Sequence, residues 1–273
     1  MTLPLAANLS LLFEANTPWS VRCERAAAAG FAYAEILFPY DQPVALYQTA
    51  LRSAGMQAVL INTPVEDHFG LAAIEGAQPQ FQRDIHRAIE TAQALGAGAI
   101  HVMAGQANAS QRVSQACLME NLAYALRQAE GTGITLMLEA LNRGDVPNYC
   151  YHDPLQVSRI VQVFSHPQLR QQFDIYHTLQ ERLPLLDMLR ACRAQIGHLQ
   201  IAHGPLRSEP QLQQDGIYDA LKELALSGYS GYLGCEYRPL HGFEAGLTWL
   251  APLQADGIVS PFDQPPSPPT GGH

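Results

Sequence analysis

The 273-residue chain contains no apolar run approaching the 18 or more residues that a membrane-spanning helix needs, and no cluster of lysine and arginine. Its 16 basic residues stand against 25 acidic ones, a formal net charge of −9. A surface of that sign repels phosphodiester backbones and anionic lipid headgroups, so neither nucleic acid nor membrane is an expected partner. Cysteine is sparse and scattered. Cys23, Cys117, Cys150, Cys192 and Cys235 are odd in number and include no Cys-x-x-Cys pair, which argues against a zinc knuckle and against a secreted disulfide framework. Residues 1–7 lack the basic n-region of a signal peptide. A reducing, cytoplasmic setting is the expectation, with the cysteines as small core residues.

Glycine is also missing where one fold class would need it. Residues 10–18, between the first apolar run and the first helix, contain none, so the glycine fingerprint of a dinucleotide-binding doubly wound sheet is absent, as is any Walker-type loop. What is present, from residue 5 to about 250, is an alternation of short apolar runs with longer amphipathic ones, the pattern of parallel strands joined by crossover helices. Strands are expected at 5–9, 33–38, 57–61, 99–103, 134–138, 169–173, 196–201 and 232–235. Helices are expected at 18–29, 43–54, 78–95, 110–129, 154–163, 183–191, 218–226 and 243–250. Eight units of about 31 residues predict a single (β/α)8 TIM barrel over 1–252. Residues 253–273, rich in proline and glycine, are expected to form an exposed tail.

In such a barrel the residues just past the strand C-termini point into one mouth. Four consecutive strands end in metal-competent groups: Glu139, Asp174, Gln200 and Glu236, spaced 35, 26 and 36 residues apart, each about one unit. Three carboxylates and an amide oxygen form an all-oxygen set suited to Mg²⁺ or Mn²⁺, and three clustered carboxylates would repel one another without a cation. A single acid at a strand end could equally cap the next helix or pair with an arginine. Four in register favour a site. His177 and Arg207 lie in loops above the same mouth, where they would orient substrate and clamp a carboxylate. Glu35, within the second strand, has two readings, the barrel mouth, which is slightly favoured, and a polar layer; Asn8 and Asn62 are weaker candidates for hydrogen bonds at the mouth. His101 and His198 fall inside strands and are expected as hydrogen-bonded core imidazoles, while His203 is open to either reading.

Six segments carry a family resemblance: Asn8-Leu9-Ser10, Phe38-Pro39-Tyr40-Asp41, Glu139-Ala140-Leu141-Asn142, Phe173-Asp174-Ile175-Tyr176-His177, His198-Leu199-Gln200-Ile201-Ala202 and Gly234-Cys235-Glu236-Tyr237. In this order they resemble the hydroxypyruvate isomerase family of the xylose isomerase-like barrel superfamily. The resemblance implies a divalent metal at Glu139, Asp174, Gln200 and Glu236, with Glu139 and Glu236 as the acid/base pair. The implied reaction converts hydroxypyruvate to tartronate semialdehyde through a metal-stabilised enediolate, on a small hydroxy-oxo acid or sugar substrate, in a chain that could be a homo-oligomer. Three places depart from the family pattern. The loop after Arg207-Ser208-Glu209-Pro210 is altered, His203 replaces the usual Asp, and residues 63–76 differ in composition. The alternatives that share the site are a 2-oxo-tetronate isomerase or a ketose 3-epimerase, although the epimerases usually carry His at the position of Gln200. From another class, a non-catalytic sugar-acid-binding barrel would not need Glu139 and Glu236.

Overall fold

The computed structural model describes residues 2–65, 68–106 and 110–260. Eight parallel strands, β1 (Leu5–Asn8), β2 (Tyr33–Ile36), β3 (Gln57–Asn62), β4 (Ala99–His101), β5 (Thr135–Glu139), β6 (Leu169–Asp174), β7 (Ile196–Ile201) and β8 (Leu233–Cys235), pair in sequence order, and β1 closes on β8. Around them lie α1 (Trp19–Ala28), α2 (Val44–Ser53), α3 (Gln78–Leu95), α4 (Gln111–Ala129), α5 (Pro154–Phe164), α6 (Ile175–Gln180), α7 (Leu185–Cys192), α8 (Ile217–Leu226) and α9 (Leu250–Ala255). The expected TIM barrel is the fold. Among the described residues no helix is long and apolar enough to cross a membrane.

Local sequence explains where the crossovers start and stop. Asp153 caps α5 by accepting from Leu155 N at 2.8 Å, and Gln156 completes a capping box with Pro154 at the first helical position. α3 ends at Gly96 with φ +71, a left-handed turn that costs glycine little. Two helical elements differ from expectation. α6 begins directly at the end of β6, because the Asp174 side chain accepts from Tyr176 N and serves as its N-cap. The helix expected over 243–250 is replaced by a 3₁₀ turn, Ala245–Leu247, and α9. Pro252 stands at the third residue of α9, within the first turn, where a missing N–H costs nothing; a helix begun at 243 would have carried it beyond its end.

Apolar packing has two parts. The main core lies between strands and helices and includes Leu3, Ile61, Ile85, Ile100, Leu136, Phe173 and Leu221. A separate small cluster, Ala6, Val59, Leu60, Ala99 and Met137 against Tyr33 and Tyr232, plugs the lower barrel. Side chains two residues apart share a face, so Asn8, His101 and Glu139 stand one step above Ala6, Ala99 and Met137. Register shifts fall between Ala34 and Glu35 and between Gln171 and Gln172, next to two of the interior polar residues.

The barrel body extends beyond the expected boundary at 252. Leu253, Ile258 and Val259 are buried, Leu3 N donates to Ile258 O at 2.9 Å, and Ser260 N donates to Leu3 O at 3.0 Å. Of the expected tail, 261–273 lies outside the described residues. Four cysteines are buried and Cys150 is partly so; all five are free thiols.

Core and surface positions should respond differently to truncation. Leu136 is fully buried and Val163 is 71% exposed. Leu136→Ala should lower unfolding stability by about 2–5 kcal/mol, and Val163→Ala should change it by less than about 0.5 kcal/mol, both measured by urea unfolding.

Candidate active site

The strand register sets Asp174 opposite Gln200, Glu139 opposite Gln172 and Gln200 opposite Gly234, so adjacent strands deliver their polar ends at one level. Glu139, Asp174, Gln200 and Glu236 are all buried. Above them opens a cavity of about 600 Å³ whose lining includes His101, Glu139, Tyr176, His177, Arg207 and Glu236, with Leu11, Phe38, Phe69 and Leu206 as apolar wall.

Arg207 sits among the carboxylates. Its Nη2 donates to Glu236 Oε2 at 2.6 Å and to Asp174 Oδ2 at 3.2 Å, and its guanidinium lies over the Tyr176 ring at 5.0 Å. The loop that carries it is closed by paired backbone hydrogen bonds between His203 and Ser208, both 2.9 Å. Asp174 divides its labour: Oδ1 caps α6 and Oδ2 faces the site. Both roles a lone strand-end acid could have had, helix cap and arginine partner, are therefore real for Asp174, and they coexist with its place in the cluster.

His177 belongs to the same cluster: atoms of Glu139, Asp174 and His177 lie within 4.8 Å of one another. Its protonation can be assigned from its partners. The backbone N–H of Asn142 points at Nδ1 at 3.1 Å, so Nδ1 accepts and Nε2 carries the hydrogen. That Nε2 lies 3.6 Å from Asp174 Oδ2 and 3.9 Å from Glu139 Oε1. Burial and the Arg207 charge push the imidazole well below its usual pKa, so it is neutral. A neutral ring with hydrogen on Nε2 donates to an oxygen in the mouth; it does not offer that nitrogen to a cation.

The other sequence candidates separate by depth. Glu35 does not reach the cavity; it is fully buried beneath it, with Asn8 and His198 as hydrogen-bond partners. His198 is thus the bonded core imidazole expected. His101 is not: its Nδ1 lies 3.1 Å from Glu139 Oε2, yet neither ring nitrogen makes a properly aligned hydrogen bond among the described residues. Burial drops its pKa to about 3. Asn62 lines the cavity with its Oδ1 unpartnered. His203 points away from the cavity and pairs with Asp215 at 3.3 Å. Two departures from the family pattern, His203 and the altered loop holding Asp215, therefore meet each other. Gln172 was not anticipated. Its Nε2 donates to both Glu139 Oε2 and Gln200 Oε1 at 2.7 Å. Counting back two residues from Asp174 on the same strand face is the signal that would have found it.

The electrostatics are dominated by burial. Desolvation, with Asp174 and Glu236 adding to it, raises Glu139 well above the carboxylate range; Glu236 is pushed up to about 8 and Asp174 to about 6, against the opposing pull of Arg207. The same acids hold Arg207 firmly charged. Three carboxylates and one guanidinium leave two negative charges when all are ionised. Glu139 Oε1 is buried without a hydrogen-bond partner. That excess charge, the orphaned oxygen and the clustered carboxylates fit a divalent cation beside Glu139 and Asp174.

A pH dependence follows. Between the ordinary glutamate pKa and about 8, folded Glu236 binds more protons than the unfolded chain does, so stability falls as pH rises through that window. In EDTA the Tm should drop from pH 5 to pH 8, by roughly 2–4 °C for each kcal/mol lost. Mn²⁺ should restore more at pH 8 than at pH 6, and Glu236→Gln should flatten the slope. A Tm in EDTA that climbs over this range contradicts the assignment.

Comparison with known proteins follows the same geometry. Residues 23–253 match the family model of the xylose isomerase-like TIM barrel. A 2-oxo-tetronate isomerase of Cupriavidus necator is 36% identical over 253 residues, 90% of this chain and 97% of that protein. The hydroxypyruvate isomerase of Escherichia coli is 34% identical over 258 residues, 92% of this chain and all of that protein. A Brucella melitensis structure described as an AP endonuclease, family 2, superposes with a TM-score of 0.85 at 32% identity, covering 92% of this chain and 99% of that one. The chain belongs to the xylose isomerase-like TIM-barrel family.

Proposed function

We propose that the protein is an aldose–ketose isomerase of small hydroxy-oxo acids, interconverting hydroxypyruvate and tartronate semialdehyde. The observation that carries this reading is the buried pair of Glu139 and Glu236 facing one cavity, with proton affinities raised by burial. Such groups can take and return a proton near physiological pH.

Glu139, Asp174, Gln200 and Glu236 would hold Mg²⁺ or Mn²⁺. When bound, the ion supplies Lewis-acid polarisation of the substrate carbonyl and its neighbouring hydroxyl. One of the two glutamates removes the proton from the hydroxymethyl carbon and a glutamate returns it to the adjacent carbon, while the hydroxyl proton passes to the former carbonyl oxygen, so the alcohol becomes the aldehyde and the ketone becomes the alcohol. His177, neutral and with hydrogen on Nε2, donates to the oxygen on which charge develops. Arg207, its guanidinium over the Tyr176 ring, binds the substrate carboxylate.

A four-carbon 2-oxo-tetronate is the second reading. It is favoured by the 36% identical relative of that name and by a cavity of about 600 Å³, ample for one more hydroxylated carbon. Nuclease activity is disfavoured by the net charge of −9. A cytoplasmic location accords with the five free thiols.

The test is incubation of metal-stripped protein with hydroxypyruvate in D₂O, with and without Mg²⁺ or Mn²⁺, followed by NMR. Metal-dependent tartronate semialdehyde carrying deuterium is the expected product; an absence of exchange with both hydroxypyruvate and 2-oxo-tetronates rejects the reading. Glu139→Gln and Glu236→Gln should each lower turnover roughly 10²- to 10⁴-fold while circular dichroism stays unchanged. A sugar-acid-binding barrel would show little loss from either.

A further inference from the structure

Beneath the carboxylates one acid takes no part in the proposed chemistry, yet the barrel is built around it. Glu35 is fully buried. Its Oε2 accepts from Asn8 Nδ2 at 2.9 Å and from Gln200 Nε2 at 3.0 Å, and its Oε1 lies 2.5 Å from His198 Nε2. Room for the carboxylate exists because residue 234 on β8 is glycine: a Cβ there would overlap Glu35 Oε1. A register shift in β2 falls immediately before Glu35. Burying a carboxylate is costly unless donors surround it, and here three of them do.

An amide has two unlike ends, and only its oxygen can ligate a hard cation. For Gln200 both ends are fixed by partners of opposite kind. Its NH₂ faces Glu35, which as a carboxylate offers acceptors alone, and its Oε1 receives a hydrogen bond from Gln172 Nε2 at 2.7 Å on the side of Glu139. A glutamine at position 35 could present either end and would tolerate a reversed Gln200. The geometry points to Glu35 as a positioning residue that holds the Gln200 amide with its oxygen turned toward the acid cluster. The inference rests on the metal reading given above and adds to it the device that makes Gln200 a usable donor.

The experiment is Mn²⁺ affinity, read from the EPR signal of free Mn²⁺, for the unsubstituted protein, Glu35→Gln, Gln200→Ala and the double variant. Glu35→Gln is expected to weaken Mn²⁺ binding 10- to 100-fold, and the double variant to bind no more weakly than Gln200→Ala alone. A Glu35→Gln affinity within twofold of the unsubstituted protein, or losses that multiply in the double variant, would overturn the role, since a purely structural acid does not act through Gln200. Failure of the unsubstituted protein to bind Mn²⁺ would instead overturn the metal reading and this inference with it. Gly234→Ala, which displaces the carboxylate without removing it, should reproduce the loss. The unsubstituted protein gives an answer that depends on neither variant folding: the ¹⁵N-labelled side-chain amide protons of Gln200 should exchange slowly with solvent with and without Mg²⁺, and rapid exchange would show that Glu35 does not hold them.

Discussion

The structure is organised around an excess of negative charge kept out of water. Glu139, Asp174 and Glu236 come from three strands of one barrel and are buried within reach of a single guanidinium, that of Arg207. Desolvation raises the proton affinity of each acid, and one arginine cannot neutralise three. The surroundings answer that constraint. His177 is kept neutral, so it adds a directed hydrogen and no competing cation, while the Arg207 guanidinium lies over the Tyr176 ring. The remaining imbalance is the size of one divalent ion.

Barrel closure makes this concentration of charge possible. Neighbouring parallel strands in register place a residue from each at the same height, and the side chain on the pleat's inner face has nowhere to go but the axis. The lower interior is filled by Ala6, Val59, Ala99 and Met137, a dry plug that seals the acids from one side. Between plug and acids runs a continuous polar layer: His198 to Glu35, Glu35 to Gln200, Gln200 to Gln172, and Gln172 to Glu139. Each bond in that layer orients a group that would otherwise be free to turn over. A half-satisfied network at this depth would be worse than none, and its open valences, Glu139 Oε1 and Gln172 Oε1, lie at the end nearest the cavity.

Much of this was legible in the sequence because it is periodic. Eight apolar runs at regular spacing give the barrel, and the residues that end the fifth to eighth runs are the ones that meet at its mouth. What was not legible depends on partners distant in sequence. That Arg207 bridges Asp174 and Glu236 follows from one loop reaching over the ends of two strands. Of the two readings open for Glu35, mouth or polar layer, the less favoured one holds: the shift in β2 pairing and the missing Cβ at Gly234 seat it in the layer below the acids. His101 was expected to be hydrogen-bonded, and its neighbours satisfy other groups instead. The helix expected at 243–250 forms instead as a 3₁₀ turn followed by α9, whose first turn accommodates Pro252.

The departures from the family pattern bear on substrate choice in a particular way. His203 pairs with Asp215, and His203 also closes the backbone ring with Ser208 that presents Arg207. The altered loop thus supplies the partner that its own unusual histidine needs. Arg207 itself adopts φ +51, a conformation an unsupported arginine avoids, and Arg238 N holds its carbonyl at 2.8 Å. Behind Arg207 stand His203 and Asp215, while its guanidinium lies on Asp174 and Glu236. The end of the site that handles protons is insulated from these changes by the barrel strands. On the cavity rim Phe69 stands exposed in a segment that departs from the family pattern, and Leu206 stands exposed next to Arg207. A common chemistry with a variable reach is what an isomerase needs if three- and four-carbon acids are to be told apart without disturbing the groups that move the proton.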